Sequence, residues 1–423
     1  MKNPLRLHGR GRALVSLGAR TVLNRLGAAA TGEPGSGWVP LGQDWFRTLS
    51  ELRGAAMKLG QMASQYADLL PPAFAEALSL LQSQAEPVDI GQIETWLAQR
   101  WTPQQREQLA TLHPVPIGVA SIGQVHRATL VDGREVAVKV QYPGVADAID
   151  RDVRNLGRLL RLAKILPVEN ARLDALLEEV RLRLHEECDY ADEAARMTRF
   201  RAGAAGMPIV IPRVVDALST ADILVTDYTP AAALDEVRRW PAATRNRIGV
   251  HLLDWIIHQL AVLKEVHADP HPGNFGFRES GEIVVYDFGC TRHLADIHLQ
   301  HFQRMTHFGL TRDYAAMHAE LGRVGSLTEP DRPMSRGLDA LYRDITGICM
   351  EAVEAEPYDF ADGRIIDDLR ARARESLGLW TAFQPLPELA FVARMLSGSY
   401  WLLRGLKSQV ALAAPIADFA AAD

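Results

Sequence analysis

The chain has 423 residues, of which 48% are hydrophobic and 23% charged, a composition typical of globular proteins and unlike that of disordered or collagen-like chains. Its formal net charge of -6 argues against a nucleic-acid-binding surface, because such domains carry a basic excess. The three cysteines, Cys188, Cys290 and Cys349, form no closely spaced pair, which excludes a disulfide framework and a zinc knuckle and favours a reducing compartment.

The first 43 residues are predicted to be a basic segment followed by a linker. Six lysines and arginines precede the first acidic residue, Glu33, and residues 30–42 are rich in glycine and proline. Residues 1–30 have two interpretations, a basic helix that contacts a membrane surface peripherally or a solvated basic tail. Because no stretch approaches the roughly 20 apolar residues of a membrane-spanning helix, we expect a cytoplasmic protein, peripheral at the inner face of the membrane under the first interpretation.

Periodicity and turn signals predict the elements of the remaining chain. Residues 44–112 carry apolar residues at spacings of three and four, which predicts helices. Two β-branched runs follow at 122–130 and 135–142, joined by a hairpin turn at Asp132-Gly133. Further on, the pattern predicts helices over 145–166, 171–200 and 245–266, a strand over 223–228, a strand pair around Ser280-Gly281, and helices throughout the residues after Arg292.

Four segments that carry chemistry follow one another along the chain. One is the sequence VAVKV at 136–140, with Lys139 on the second strand of the hairpin. Another is the loop of small residues at 116–121, which precedes that hairpin and ends with Ala120 and Ser121. Small residues let backbone N–H groups approach phosphate closely, although a plain turn explains the same sequence.

The other two segments lie downstream. The residues from His267 to Asn274 are similar to a kinase catalytic loop, H-R-D-x-x-x-x-N, with Asp269 and Asn274 five positions apart. A predicted strand then ends at Asp287-Phe288-Gly289, and the aspartate of a D-F-G sequence holds Mg²⁺. Each motif alone is weak, because turns often carry such residues. Their order after a V-A-V-K strand predicts phosphoryl transfer.

These residue types meet the chemical requirements of phosphoryl transfer. Lys139 supplies a cation for the phosphates, and Asp269 supplies a carboxylate that orients or deprotonates the acceptor. Oxygen ligands from Asn274 and Asp287 suit a hard Mg²⁺ ion, so we predict ATP and Mg²⁺ as cofactors. An acidic partner for the lysine is expected within the charged segment 171–203, but spacing alone does not choose it.

On these motifs the sequence resembles the UbiB/ABC1/ADCK (AarF) family of atypical kinase-like proteins, which is associated with ubiquinone (coenzyme Q) biosynthesis. The most specific signature, Lys58-Leu59-Gly60-Gln61, is similar to the family's K-x-G-Q motif. Glu187-Cys188-Asp189 is similar to its E-x-D motif. By this resemblance, Glu193 is the helix glutamate that pairs with Lys139.

The resemblance implies an α+β, protein-kinase-like bilobal fold with a small β-rich N-lobe and a helical C-lobe. It also implies that Lys58 and Gln61 of a helical extension point into the nucleotide cleft, with Lys58 near Glu187, where the extension obstructs a protein substrate. The expected domains are a basic segment with its linker, the K-x-G-Q extension, the N-lobe and the C-lobe, at 1–43, 44–112, 113–228 and 229–423.

Two departures from the family pattern stand out. Gly118-Val119 take the first two positions of the usual A-A-A-S loop. Because glycine makes a loop more flexible, nucleotide preference or autoinhibition is expected to differ. The paired C-terminal membrane helices of the bacterial UbiB type are not evident in the sequence. Residues 1–30 are therefore the predicted place of membrane contact.

Two histidine patterns have simpler explanations than metal or phosphate binding. His251, Asp254 and His258 lie at spacings of three and four on the predicted 245–266 helix, where a packed helix face is favoured over a metal site. His271 stands where ordinary kinases carry a catalytic-loop lysine. We expect it to order the loop, with phosphate contact as the alternative.

The leading hypothesis is an ATP- and Mg²⁺-binding kinase-like ATPase, or a small-molecule or lipid kinase, that supports ubiquinone or membrane-lipid metabolism and not protein phosphorylation. The expected partners are the nucleotide and a quinone precursor or lipid, without nucleic acid. Two alternatives stay open: a non-catalytic, nucleotide- or lipid-binding pseudokinase scaffold, and a small-molecule phosphotransferase of the aminoglycoside-kinase type.

Overall fold

The computed structural model describes residues 87–119, 122–163, 170–384 and 386–421. The K-x-G-Q motif with Lys58 and Gln61, and Ala120 and Ser121 of the small-residue loop, lie outside the described residues. The predictions that concern those four residues therefore stay predictions.

Helices and strands alternate at first, and helices dominate later. The helices are α1 (Ile90–Arg100), α2 (Pro103–Glu107), α3 (Val145–Ala163), α4 (Asn170–Glu187), α5 (Tyr190–Gly203), α6 (Leu234–Val237), α7 (Ala242–His258), α8 (Asp296–Thr311), α9 (Tyr314–Arg323), α10 (Arg336–Glu354), α11 (Ile365–Glu375), α12 (Pro387–Leu406) and α13 (Ala413–Ala421). The strands are β1 (Leu109–Val119), β2 (Gly123–Leu130), β3 (Glu135–Gln141), β4 (Ile209–Val210), β5 (Ile223–Asp227), β6 (Glu265–His267), β7 (Phe275–Phe277), β8 (Ile283–Val285), β9 (Thr291–His293), β10 (Tyr358–Asp359) and β11 (Gln409–Val410).

The chain divides into two compact units. Of the described residues, the first unit comprises those up to Ala194 together with Val214–Tyr228, and the second comprises Ala195–Arg213 and those from Thr229 onward. The first unit contains a four-stranded antiparallel sheet, whereas the second is mainly helical with short strand pairs. This is the kinase-like fold that the family resemblance implies.

The sheet of the first unit has the strand order β1-β2-β3-β5. The predicted hairpin turn is present between β2 and β3, with Gly133 at a φ of 83° that favours glycine. Side chains alternate along β3, so that Val136, Val138 and Val140 are buried while Lys139 lies on the other face. The strand therefore presents its single lysine away from the hydrophobic core.

Helix α1 packs against the buried face of this sheet. Its residues Ile93, Leu97 and Trp101 join the valines of β3 in one hydrophobic cluster. The indole Nε1 of Trp101 donates a hydrogen bond of 2.9 Å to the carbonyl of Leu218, which satisfies the polar end of a buried side chain. Helix α1 therefore stabilises the sheet from the face opposite Lys139.

Two of the predicted helices in the first unit differ from the structure. The prediction of helix up to residue 112 is wrong for its last residues, because β1 begins at Leu109 and pairs with Leu130 of β2. The predicted helix over 171–200 is two helices, α4 and α5. The break occurs because the Asp189 carboxylate accepts hydrogen bonds from the backbone N–H groups of Ala191 and Asp192 and so starts a new helix.

In the second unit, helix α7 ends before the predicted boundary. It continues as a π-helical turn, Gln259–Leu263, and the chain then reverses at Lys264, which has a φ of 51°. Strand β6 follows immediately and pairs antiparallel with β9. The predicted helix over 245–266 is therefore wrong at its C-terminal end, where the chain instead enters a strand.

The rest of the second unit follows the predicted pattern. Strands β7 and β8 form the predicted hairpin around Ser280-Gly281, and β4 pairs parallel to β8. After β9 the chain is mainly helical from α8 to α13. Within the described ranges, no helix is both long enough and apolar enough to cross a membrane.

Replacement of Trp101 tests the packing of α1 against the sheet. Trp101→Ala is expected to lower the free energy of unfolding by about 3–5 kcal/mol, because it leaves a cavity in the core. Trp101→Phe removes the hydrogen bond to a buried carbonyl and is expected to cost about 1–3 kcal/mol. Urea denaturation measures both changes.

Trp380→Phe is the matched control, because its indole also donates to a backbone carbonyl but is 42% exposed. A loss for Trp101→Phe no larger than that for Trp380→Phe would contradict the importance of the buried bond.

Candidate functional site

Lys139 and Glu193 form a largely buried ion pair in the first unit. Lys139 Nζ donates to both carboxylate oxygens of Glu193 at 2.8 Å. The two side chains are 14% and 2% exposed. The ammonium also lies 4.9 Å from the ring centroid of Tyr190, within the range of a cation–π contact. The structure thus brings together the two residues that the family resemblance pairs.

The E-x-D motif spans the break between α4 and α5. Glu187 is the last residue of α4 and is half-buried, and Asp189 caps α5, whose first turn carries Glu193. Burial and the negative charge of Glu187 raise the pKa of the Cys188 thiol to about 12, so this cysteine is not a thiolate nucleophile. The motif therefore shapes the start of the helix that carries Glu193.

In the second unit, Asn274 is joined to Asp269. The Asn274 side-chain amide donates to the backbone carbonyl of Asp269 at 3.0 Å and to its carboxylate at 3.2 Å. This use of the N–H groups leaves the amide oxygen of Asn274 as an acceptor for another group. The Tyr286 backbone N–H donates to the Asn274 carbonyl at 2.9 Å, so the catalytic loop lies beside Asp287.

His267 ties the catalytic loop to the D-F-G sequence. Its Nε2 lies 2.6 Å from the backbone carbonyl of Asp287, and because a carbonyl only accepts, Nε2 is the donor. Its backbone N–H donates to Oε1 of Gln259 in the π-helical turn at 2.7 Å. The ring packs edge-on against Phe275 and Phe288. This buried histidine holds the loop in place, and its ring is not exposed to a phosphoryl acceptor.

The donor set of the second unit fits a hard divalent ion. One oxygen of Asp287, Oδ1, accepts a hydrogen bond of 2.9 Å from the Gly289 N–H. A carboxylate has about four lone-pair sites in all. Together with the amide oxygen of Asn274, the Asp287 carboxylate presents the oxygen ligands that Mg²⁺ prefers. Among the residues that the structure describes, no group of three or more His, Cys, Asp or Glu forms a metal cluster. Asn274 and Asp287 carry the oxygen donors that suit a hard divalent ion.

His251, His258 and His271 make structural contacts. His271 is exposed, and its Nδ1 accepts from the Gly273 N–H at 3.1 Å, so it orders the loop as predicted. The rings of His251 and His258 each bond to a backbone carbonyl at 2.8 Å. His258 also stacks on Trp255, so this side of α7 is the packed face that was predicted.

Arg394 of α12 lies beside Asp269, and the sequence did not predict this. Its Nη2 is 3.7 Å from Asp269 Oδ1, and its side chain is 16% exposed. Its Nε and Nη1 are buried and have no hydrogen-bond partner in the described part of the chain. The helix approaches this closely because residue 398 is glycine: a Cβ there would lie 2.3 Å from Cγ of Pro270. The available signal was a lone arginine within the apolar segment 389–403, one turn before that glycine.

Removal of Lys139 tests how strongly Glu193 depends on it. Lys139→Met is expected to lower the free energy of unfolding by about 3–5 kcal/mol, because it leaves a buried carboxylate without a counter-charge. The double variant Lys139→Met/Glu193→Gln is expected to recover much of this loss. Urea denaturation gives both values.

Arg134→Met serves as the control, because its ion pair with Asp132 is exposed and such pairs contribute only about 0–1 kcal/mol. Equal losses for Lys139→Met and for the double variant would contradict a charge effect.

Comparison with known proteins agrees with this geometry. A family model described as an ABC1 atypical kinase-like domain matches residues 80–321. The chain is 30% identical to atypical kinase coq-8, mitochondrial, of Caenorhabditis elegans, over 86% of this chain and 48% of the relative. It is 30% identical to the probable serine/threonine-protein kinase abkA of Dictyostelium discoideum, over 86% of this chain and 67% of the relative. It is 28% identical to atypical kinase COQ8, mitochondrial, of Saccharomyces cerevisiae, over 85% of this chain and 72% of the relative.

A solved structure is similar over most of the chain. The complex of Rv3197 with erythromycin from Mycobacterium tuberculosis matches with a TM-score of 0.60 and 25% identity, covering 88% of this chain and 94% of that one. The chain spans about half the length of the C. elegans relative. The family model nevertheless covers more than half of the chain, including the segments that carry Lys139, Glu193, Asp269 and Asp287. The chain therefore belongs to the ABC1 atypical kinase-like family.

Proposed function

We propose that this chain binds Mg-ATP and transfers its terminal phosphoryl group to water or to a small or lipid acceptor, in support of ubiquinone or membrane-lipid metabolism. The observation that carries the proposal is the ion pair of Lys139 with Glu193, because an ammonium held by a buried glutamate is what kinases present to the nucleotide phosphates. Membership of the ABC1 family supports the same activity.

Each unit supplies a different part of this chemistry. In the first unit, Lys139 would position the phosphates and neutralise their charge while Glu193 keeps the ammonium in place. In the second unit, the oxygens of Asp287 and Asn274 would hold Mg²⁺. When bound, the ion supplies positive charge against the phosphate oxygens. Asp269 would orient the attacking oxygen and accept its proton.

The carboxylate of Asp269 is held from two sides. Asn274 donates to Oδ2, and the guanidinium of Arg394 faces Oδ1. Positioning of this kind accounts for much of enzymatic phosphoryl transfer, because a fixed acceptor geometry removes the entropy cost of alignment. We therefore assign Arg394 as a positioning residue that acts through Asp269.

The segment after D-F-G supports an acceptor other than a protein. Strand β9 begins at Thr291, almost directly after Gly289, and α8 begins at Asp296. The chain has no long segment at this point on which a peptide could dock. Water, a small molecule or a lipid therefore suits the site better than a protein side chain does.

The likeness to the Rv3197 structure favours a second candidate, the binding of a macrolide. That protein is described in complex with erythromycin and matches 88% of this chain. Saturable binding of erythromycin in calorimetry would support this candidate, and heat no larger than that of dilution would remove it.

Replacement of the Asp287 carboxylate by an amide tests the assignment of Asp287 as a metal ligand. Mg-ATP is expected to raise the thermal unfolding temperature of the wild type by several degrees, because a ligand that binds only the folded state stabilises it. Asp287→Asn is expected to lose most of that rise. Asp254→Asn, at an exposed position on α7, is the matched control and should keep it. Equal stabilisation of wild type and Asp287→Asn would count against the site.

Turnover assays separate the catalytic alternatives. Release of phosphate from ATP, with and without a prenylated phenol and anionic vesicles, would support hydrolysis. A phosphorylated acceptor found by mass spectrometry would support transfer instead. Binding of Mg-ATP without turnover in any condition would favour a pseudokinase scaffold.

Substitution of Arg394 tests its positioning role. Arg394→Ala is expected to lower kcat by about 10- to 100-fold and to leave KM for ATP nearly unchanged, because it disturbs the acceptor side of the reaction. Arg394→Lys, or added guanidinium ion with Arg394→Ala, should restore part of the rate. Steady-state kinetics measure each effect.

Arg404→Ala is the control for the helix, because Arg404 lies on α12 and pairs with Asp367 near the surface. If both variants lose the same fraction of kcat, and guanidinium restores nothing, Arg394 is structural only.

A further inference from the structure

Helices α3 and α4 border a groove in the first unit that the proposed phosphoryl transfer does not use. The groove has a volume of about 540 Å³, and its buried lining residues are Val153, Gly157 and Leu177. The two helices meet closely at Gly157, where a Cβ would lie 2.7 Å from Cδ1 of Leu177. The base of the groove is therefore apolar, and its volume lies within the range of small-molecule sites.

The rim of the groove is strongly charged. Two of its arginines are already engaged by carboxylates that also line it. Arg161 pairs with Asp174, and Arg181 pairs with Glu178 at 2.8 Å and with Asp150 at 3.3 Å. Every acidic residue of the lining is therefore already paired with an arginine, and these pairs fix the walls of the groove.

Two further arginines of the lining have no such partner. Arg154 and Arg158 are exposed, and no carboxylate of the described residues forms an ion pair with either. They stand one helical turn apart on the same face of α3, where like charges repel each other. An anion placed between the two guanidinium groups would relieve that repulsion and accept hydrogen bonds from both.

We propose that this groove is a binding site for a phosphate ester. The phosphate would lie between Arg154 and Arg158, because the planar guanidinium fork matches two phosphate oxygens at once. The organic part of the ester would cover Val153 and Leu177. The volume of the groove exceeds that needed for a free phosphate ion, which indicates an ester with an apolar or aromatic portion. The site does not depend on the proposed phosphoryl transfer.

Titration calorimetry with phenyl phosphate tests the site on the full chain. We expect saturable binding by the wild type that weakens as salt is added, because the contacts are ionic. Arg154→Gln/Arg158→Gln is expected to lose about tenfold in affinity for each arginine. The affinity of Arg154→Lys/Arg158→Lys should lie between those of the wild type and the double glutamine variant, because lysine keeps the charge but lacks the planar guanidinium fork.

The control Arg106→Gln/Arg151→Gln removes the same charge, from positions that do not line the groove. Its affinity for phenyl phosphate should stay within about twofold of the wild type, because long-range charge effects are screened by salt. Equal losses in the two glutamine variants, or no binding by the wild type, would overturn the proposal. Inorganic phosphate should bind more weakly than phenyl phosphate, and equal affinities would overturn the apolar half of the site.

Vesicle binding distinguishes the two sources of such an ester, a lipid headgroup and a soluble molecule. Phosphatidylcholine vesicles that contain phosphatidic acid would be bound by the wild type and not by Arg154→Gln/Arg158→Gln if a lipid headgroup occupies the site. Binding of phenyl phosphate with no binding of these vesicles would support a soluble ester. Vesicle binding that survives the double substitution, together with unchanged phenyl phosphate affinity, would reject both sources.

Discussion

A lysine placed in a largely buried position is stable as an ammonium only when a carboxylate compensates the loss of hydration, and the first unit depends on this constraint. Lys139 meets Glu193, whose side chain is 2% exposed, and both carboxylate oxygens accept from the same ammonium. The desolvation cost of each charge is large, so neither residue tolerates loss of the other. The register of β3 places Lys139, and the start of α5 places Glu193. Both must therefore be correct for the ammonium to meet the carboxylate.

In the second unit, the polar residues of the motifs are held mainly by hydrogen bonds to the backbone. His267 and Asn274 each connect the catalytic loop to the residues around Asp287, and both act through peptide groups. The motif residues of the two units are thus placed by different means, a buried ion pair for Lys139 and a network of directional hydrogen bonds for the loop from His267 to Asn274. Arg394 belongs to neither pattern, because it faces Asp269 while two of its nitrogens lack partners among the described residues.

Local patterns were enough to predict the β2–β3 hairpin, the β7–β8 hairpin and most helices after Arg292, because turn residues and apolar periodicity report structure over a few positions. The order of the V-A-V-K, H-x-D and D-F-G segments also led to the prediction that Lys139, Asp269 and Asp287 carry out phosphoryl transfer, which stays a prediction. Spacing alone could not choose the partner of Lys139. The family resemblance pointed to Glu193, and the structure shows the two side chains in contact.

The amino-acid sequence by itself determined the faces of the strands and the identity of the polar residues in the motifs, since each of these is written in neighbouring residues. The resemblance of those motifs to a family implied the fold class. Tertiary structure alone decided two other features. Strand β1 replaced a helical pattern because it could pair with β2. Arg394 reached Asp269 from a helix more than a hundred residues away in the chain. Periodicity shows that a face is buried, but long-range packing decides what it is buried against.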